Sequence, residues 1–277
     1  MMSVLVVCRV EHSRKAPAWM KALDGSADFR CSTYGAQQEP DIHHYRGGKW
    51  AGIYDFFREQ PKLLQAYDYF WFPDDDIDTT ASKASSFLSL CVEKGFELAQ
   101  PALTPDSYFA YRETIENPRF RFRRTNFVEL MMPLMEREFL LRVLPLFEGK
   151  HAALGIDWIW QKAAARPYEN VAIIDACPMA HTRPRNLHLA TKMRDQNISI
   201  AEEKAKTFKK YNVKMITPVV YSGELKNGVE TRNRLHLAGE LLIGHLNVRK
   251  KIKNGCWTAE HTVKLLLRQL GLWPARA

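Results

Sequence analysis

The sequence predicts an α/β fold, a sheet with helices on both faces, followed by a mostly helical C-terminal extension. Three observations predict it. Short β-branched or aromatic runs alternate with amphipathic, capped stretches as far as about residue 185. Turn residues punctuate the boundaries, and from about residue 190 the strand-like runs give way to helical periodicity. The composition, 277 residues with 46% hydrophobic and 26% charged, is that of an ordinary globular chain of one large domain or a domain with an appendage.

Taken in order, "SVLVVCR" (3–9) suits a parallel strand buried on both faces. Its apolar run is short and lacks a basic segment before it, so a first strand is expected and not a signal peptide. "ADFRCSTYG" (27–35), "DYFWF" (68–72), "FELAQPAL" (96–103), "FVELMM" (127–132) and "NVAIIDA" (170–176) are the further strand candidates. In "TASKASSFLSLCVEKG", Thr80 caps a helix with Phe87, Leu88 and Cys91 on one face, and Gly95 ends it. "MEREFLLRVLPLFEG" carries a helix that Pro145 terminates or kinks. "SIAEEKAKTFKKY" opens with Ser199 and Glu202 in capping-box spacing. "WTAEHTVKLLLRQLG" sets Val263, Leu266, Leu267 and Leu270 on one face. The expected division is a domain over 1–189 and a helical extension over 190–277.

No stretch approaches the roughly 18–20 apolar residues of a membrane span. Cysteines 8, 31, 91, 177 and 256 are scattered without metal spacing, which suits free thiols in a reducing compartment, so a cytoplasmic location is expected. Net charge is +9, from 40 Lys and Arg against 31 Asp and Glu. That excess fits nucleic acid, an anionic membrane surface or a phosphorylated substrate, or simply a soluble basic surface. The basic amphipathic pieces after residue 190 could rest on a membrane at its cytoplasmic face, or pack on the core.

The densest chemistry follows "DYFWF". Asp74, Asp75 and Asp76 lie past the carboxyl end of that strand, where open α/β sheets bind ligands. Asp74 and Asp76 can point toward one ion, and hard oxygen ligands suit Mg²⁺ or Mn²⁺, which also bind substrate phosphates. A solvated acidic turn is the plain alternative. "HAALGIDWIWQ" (151–161) places Asp157 after Gly155 and among Trp158 and Trp160, a position for a general base beside a sugar platform, or for a helix cap. "NVAIIDACPMAHTRPR" (170–185) runs into a loop with His181, Arg183 and Arg185, a metal ligand and phosphate clamps by type.

The succession "YDYFWFPDDDI", "ELAQPALTPDS", "FVELMMPLMEREFL", "LGIDWIWQK" and "VAIIDACPMAHTRP" resembles the glycosyltransferase-like DUF707 proteins and the order of GT-A nucleotide-sugar transferases, over roughly residues 40–185. The resemblance implies a GT-A, Rossmann-like mixed sheet flanked by helices that uses a divalent metal (Mn²⁺ or Mg²⁺) and a nucleotide-sugar donor, with a UDP-sugar the first guess. Arg9 and Tyr34 would border the nucleotide. Asp74 would meet the ribose or the metal, Asp75 the donor, and Asp76 the metal directly. His181 would add a metal or diphosphate ligand, and Arg183 a phosphate contact. Arg46 and Lys49, beside Gly47 and Gly48, would approach the donor. Asp157 matches the base of inverting members. The acceptor would be a carbohydrate or glycolipid, in bacterial polysaccharide or lipopolysaccharide assembly. Two rivals follow from the same residues: a metal-dependent phosphoryl-transfer or nuclease-like enzyme, and a non-catalytic carbohydrate binder stacking sugars on Trp50, Trp71, Trp158 and Trp160. The lack of a second acidic cluster with two-metal spacing argues against the first, so no nucleic-acid partner is expected.

Overall fold

A computed structural model describes residues 2–23, 25–184, 193–194, 198–213, 217–252 and 259–272. The strands are β1 (Val4–Val10), β2 (Asp28–Thr33), β3 (His43–His44), β4 (Tyr69–Trp71), β5 (Ile77–Asp78), β6 (Leu98–Leu103), β7 (Phe120–Thr125), β8 (Leu134–Glu136), β9 (Val171–His181), β10 (Val220–Leu225) and β11 (Glu230–Thr231). The α-helices are α1 (Ala18–Lys21), α2 (Lys49–Glu59), α3 (Leu63–Ala66), α4 (Ala81–Lys94), α5 (Arg137–Val143), α6 (Ile200–Tyr211), α7 (Arg234–Val248) and α8 (Ala259–Gln269). The sheet runs β11-β10-β7-β9-β6-β8-β4-β1-β2-β3, with β5 paired to the far end of β9.

The expected mixed α/β sheet flanked by helices is present. β1 is parallel to β2 and β4, and β6 to β9, while β8 lies antiparallel between β4 and β6. β1 is buried along its whole length because its alternate residues feed two cores. Val4, Val6 and Cys8 meet Trp71 with Phe87 and Leu88 of α4 on one face. Leu5 and Val7 meet Ile53, Phe56 and Phe57 of α2 and Leu140 of α5 on the other.

The caps read from sequence operate: Thr80 Oγ1 accepts from Lys83 N at 3.2 Å, and Ser199 Oγ from Glu202 N at 3.3 Å. Helix α5 gives way to a 3₁₀ turn at Leu144–Phe147, where Pro145 falls.

Two strand expectations change. "FVELMM" is no strand; it is a buried connection between β7 and β8, with Phe127, Val128 and Met132 anchored in the core. The strand lies one step earlier, in "FRFRRT", whose Phe120 and Phe122 are buried while its arginines find carboxylates or carbonyls. The described residues after 190 are mostly helical, as expected, yet they also supply β10 and β11, which extend the sheet beyond β7.

Candidate functional site

The three aspartates sit where β4 leaves the sheet. Phe72 N and Asp74 N donate to Pro133 O and Met131 O at 3.0 and 2.9 Å, so the chain stays pinned for three residues past the strand. β9 overshoots β6 and pairs with β5 in the register Ile77–His181. That register sets His181 beside Asp76, with Nε2 3.2 Å from Asp76 Oδ2. Thr182 closes the contact, donating from N and Oγ1 to Asp76 O at 3.1 and 2.9 Å.

Asp74, Asp76 and His181 consequently present three ligand atoms within 4.8 Å of one another. Asp76 Oδ1 is buried with no hydrogen-bond partner among the described residues. Two carboxylates and an imidazole, one oxygen of them unspent, fit a hard divalent cation such as Mn²⁺ or Mg²⁺ with coordination positions left for water or phosphate. Burial pushes the Asp74 carboxyl up, against the pull of Lys49. Burial also acts on Asp76, but the hydrogen bond and charge of His181 and the charge of Arg183 outweigh it and hold the carboxyl below its ordinary range. Arg183 contacts Asp75 and sets its Nε 3.1 Å from Asp76 Oδ2. Tyr34 donates its hydroxyl to Asp75 Oδ2 at 3.1 Å.

Tyr34, Asp74, Asp75, Asp76, His181, Arg183 and Asp157 line one cleft of about 650 Å³. Asp157 lies on a 3₁₀ turn, Ile156–Trp158, launched by Gly155 at φ +93°. A side chain at Gly155 would be strained by that φ and would strike the Phe208 ring. Asp157 is 7% exposed. Burial raises its carboxyl to about 7, although backbone hydrogen bonds around Gly155 and Trp158 pull the other way. Phe208 and Lys204 of α6 complete the wall, with the Phe208 ring 5.5 Å from that of Trp158.

Three expected donor contacts have the following surroundings. Arg9 borders the cleft, but its terminal nitrogens donate to Ser32 Oγ, Thr33 O, Tyr45 O and Gly47 O at 2.7, 3.4, 2.7 and 3.1 Å. Lys49 Nζ has three protons and three partners, Asp74 Oδ1, Leu130 O and Met131 O, at 2.6, 2.9 and 2.8 Å. Both side chains line the cleft; the three Lys49 protons are taken by protein acceptors, whereas Arg9 Nε is buried with no hydrogen-bond partner among the described residues. Arg46 is exposed and outside the lining. Arg185 lies outside the described residues. Of the four tryptophans, Trp71 and Trp160 are core residues that donate to Met132 O and Val128 O, and Trp50 touches the cleft but is only 2% exposed. Only Trp158 has the exposure a sugar platform needs. The cleft also holds Tyr111, Glu129, His151, Lys204 and Phe208, which the sequence reading passed over. They lie on loops and on a largely polar helix, where periodicity marks no inward face.

Fold and site together define a mixed α/β protein with a carboxylate–imidazole cluster and a buried acid in one cleft. No protein-family model matches the chain, so the likeness to DUF707 proteins rests on the residue motifs alone, and no curated protein matches either. Among solved structures, the chain is similar to Staphylococcus aureus TarS 1–349 in complex with UDP-GlcNAc, at 11% identity over 97% of this chain and 72% of that one, TM-score 0.49. It is similar also to a glycosyltransferase involved in glycosylation of the major capsid of PBCV-1, at 9% identity over 70% and 98%, TM-score 0.41. A third is A197 from STIV, at 12% identity over 66% and 86%, TM-score 0.38. At such identities and scores these likenesses carry no weight for function.

Proposed function

We propose that the protein is a metal-dependent GT-A glycosyltransferase that moves a sugar from a nucleotide-sugar donor to a hydroxyl acceptor with inversion. One observation carries the reading: the ligand set of Asp74, Asp76 and His181 and the buried acid Asp157 line the same cleft. A bound Mn²⁺ or Mg²⁺ would offset the charge that develops on a leaving nucleoside diphosphate. Arg183, part-exposed beside Asp75 and Asp76, is placed to meet phosphate oxygens. Asp157, once ionised, accepts the proton of the acceptor hydroxyl, and Trp158 offers a face for the acceptor sugar. For the acceptor we take a carbohydrate or glycolipid of bacterial surface polysaccharide assembly, which suits a transferase of net charge +9.

A thermal-shift panel of UDP, GDP, CMP and dTDP and their common sugars, with and without Mn²⁺, tests this. A nucleotide sugar at about 100 times its Kd should add about 2.7 kcal/mol of stability with the metal. Asp76→Ala should abolish the Mn²⁺-dependent part. If no nucleotide shifts the melting temperature with any divalent ion, the proposal is wrong.

We extend this reading to a peripheral membrane contact on α7. Leu235, Ile243 and Leu246 on α7 are 73, 44 and 39% exposed, and Arg234 and Arg249 flank them. An apolar stripe between basic ends complements an anionic bilayer. Cosedimentation with vesicles containing phosphatidylglycerol should fall sharply in Leu235→Glu/Ile243→Glu; equal sedimentation of wild type with neutral vesicles would overturn the assignment. No helix among the described residues is long and apolar enough to cross a membrane.

A further inference from the structure

The segment leading into Asp157 is held from outside the sheet. Glu203 of α6 accepts hydrogen bonds from three consecutive amides, His151 N, Ala152 N and Ala153 N, at 2.9, 3.1 and 2.7 Å. Ala153 has φ +55°, left-handed backbone that a Cβ disfavours. Successive amides turned toward one anion by such a kink form a concave anion nest. Ala153 O then accepts from Ile156 N at 3.3 Å, opening the turn that carries Asp157.

The same segment is gripped from two more directions. Lys150 Nζ donates to Thr207 Oγ1, one turn beyond Glu203, at 2.6 Å. Opposite, Lys150 O accepts from Ala51 N at 3.0 Å, and Gly48 lies so close that a Cβ there would collide with His151 O. Nothing in the proposed chemistry uses Glu203, whose carboxylate faces the three amides.

We infer that Glu203 is a positioning residue for the reaction: its carboxylate stabilises the left-handed turn at Ala153 and thereby seats Asp157 in its buried place. The inference rests on the reading of Asp157 as the base. It gives the C-terminal extension a part in catalysis, because α6 closes the nest across fifty residues of sequence.

The test needs no donor. In the full chain, ¹³C-carboxyl titration of Asp157 should move from near 7 in wild type to below about 6 in Glu203→Ala, as the loosened turn admits water. Hydrogen exchange at residues 151–153 should accelerate roughly tenfold or more. Ala153→Gly, placed on Glu203→Ala, should restore the Asp157 titration, because glycine takes this φ without the anion's help, while the three amides, still lacking their acceptor, keep the fast exchange. A plain staple of α6 to the core would instead lower the melting temperature and leave the Asp157 titration alone, and that result overturns the inference. If Glu203→Ala does not fold, Glu203→Gln is read the same way: unchanged titration and exchange count against the proposal, a shift in both counts for it. Asp157→Asn, assayed on the donor panel, separates the two ideas. Full transfer by that variant removes the base reading, while the titration still decides whether Glu203 seats residue 157.

Discussion

Asp157 keeps its proton to about pH 7 because the folded chain leaves its carboxyl little water to ionise into. The unfolded chain loses that proton near pH 4. Between those values the folded state binds more protons than the unfolded one, so folded-state stability falls as pH rises from about 4 to about 7 and stays reduced above. Asp157→Asn removes this cost. At pH 8 the variant should exceed wild type by about 2–4 kcal/mol in urea unfolding, with the difference closing by about pH 4. The same substitution should lower transfer by about 10²–10⁴ while donor binding stays within about twofold. If Asp157 is the base of the proposed transfer, the acidic limb of the wild-type rate should rise through about pH 7, since a base works ionised. Lys49→Met should cost about 2 kcal/mol, because it leaves Asp74 and two backbone carbonyls without their shared donor. At this scale, residue type was readable: acidic residues past a strand, and an acid after a glycine. The acceptors that meet Arg9 and Lys49 were not, since a cation's partners are set by loops brought together from distant sequence.

Element by element, legibility followed local chemistry. β1 announced itself by a β-branched run, α4 by Thr80 and Gly95, and α6 by Ser199 and Glu202. Thr80→Ala should therefore cost about 1 kcal/mol, lowering the melting temperature by about 2–4 °C while leaving the Mn²⁺-dependent shift intact. "FVELMM" misled because an apolar run is equally a strand or a buried connection; its backbone carbonyls serve indole and ammonium donors instead of a ladder. "FRFRRT" was overlooked because arginine is unusual in an interior strand. Arg123 is tolerated there because Asp175 of β9 pairs with it in two hydrogen bonds of 2.8 Å, and Ile115 O takes another N–H.

For the whole molecule, the extension is bonded to the sheet it follows. β10 pairs with β7 along Val220–Leu225, and Glu224 meets Arg121 and, at 2.8 Å, Lys94. A chain ending at residue 189 would bare the edge of β7 and lose α6 beside Asp157. It should be recovered largely as aggregate, read by soluble yield and size-exclusion chromatography. A monodisperse, cooperatively melting fragment would show that residues 1–189 fold without their C-terminal partner.

The sequence by itself determined the α/β character, the capped helices and the identity of the chemical groups, since periodicity, caps and residue type act over a few neighbours. Only the tertiary structure decided which groups meet. The β5–β9 register brings His181 to Asp76 across a hundred residues, burial raises the Asp157 carboxyl, and a carboxylate on α6 holds the loop beneath it. Those depend on desolvation and long-range pairing, which no local stretch of chain encodes.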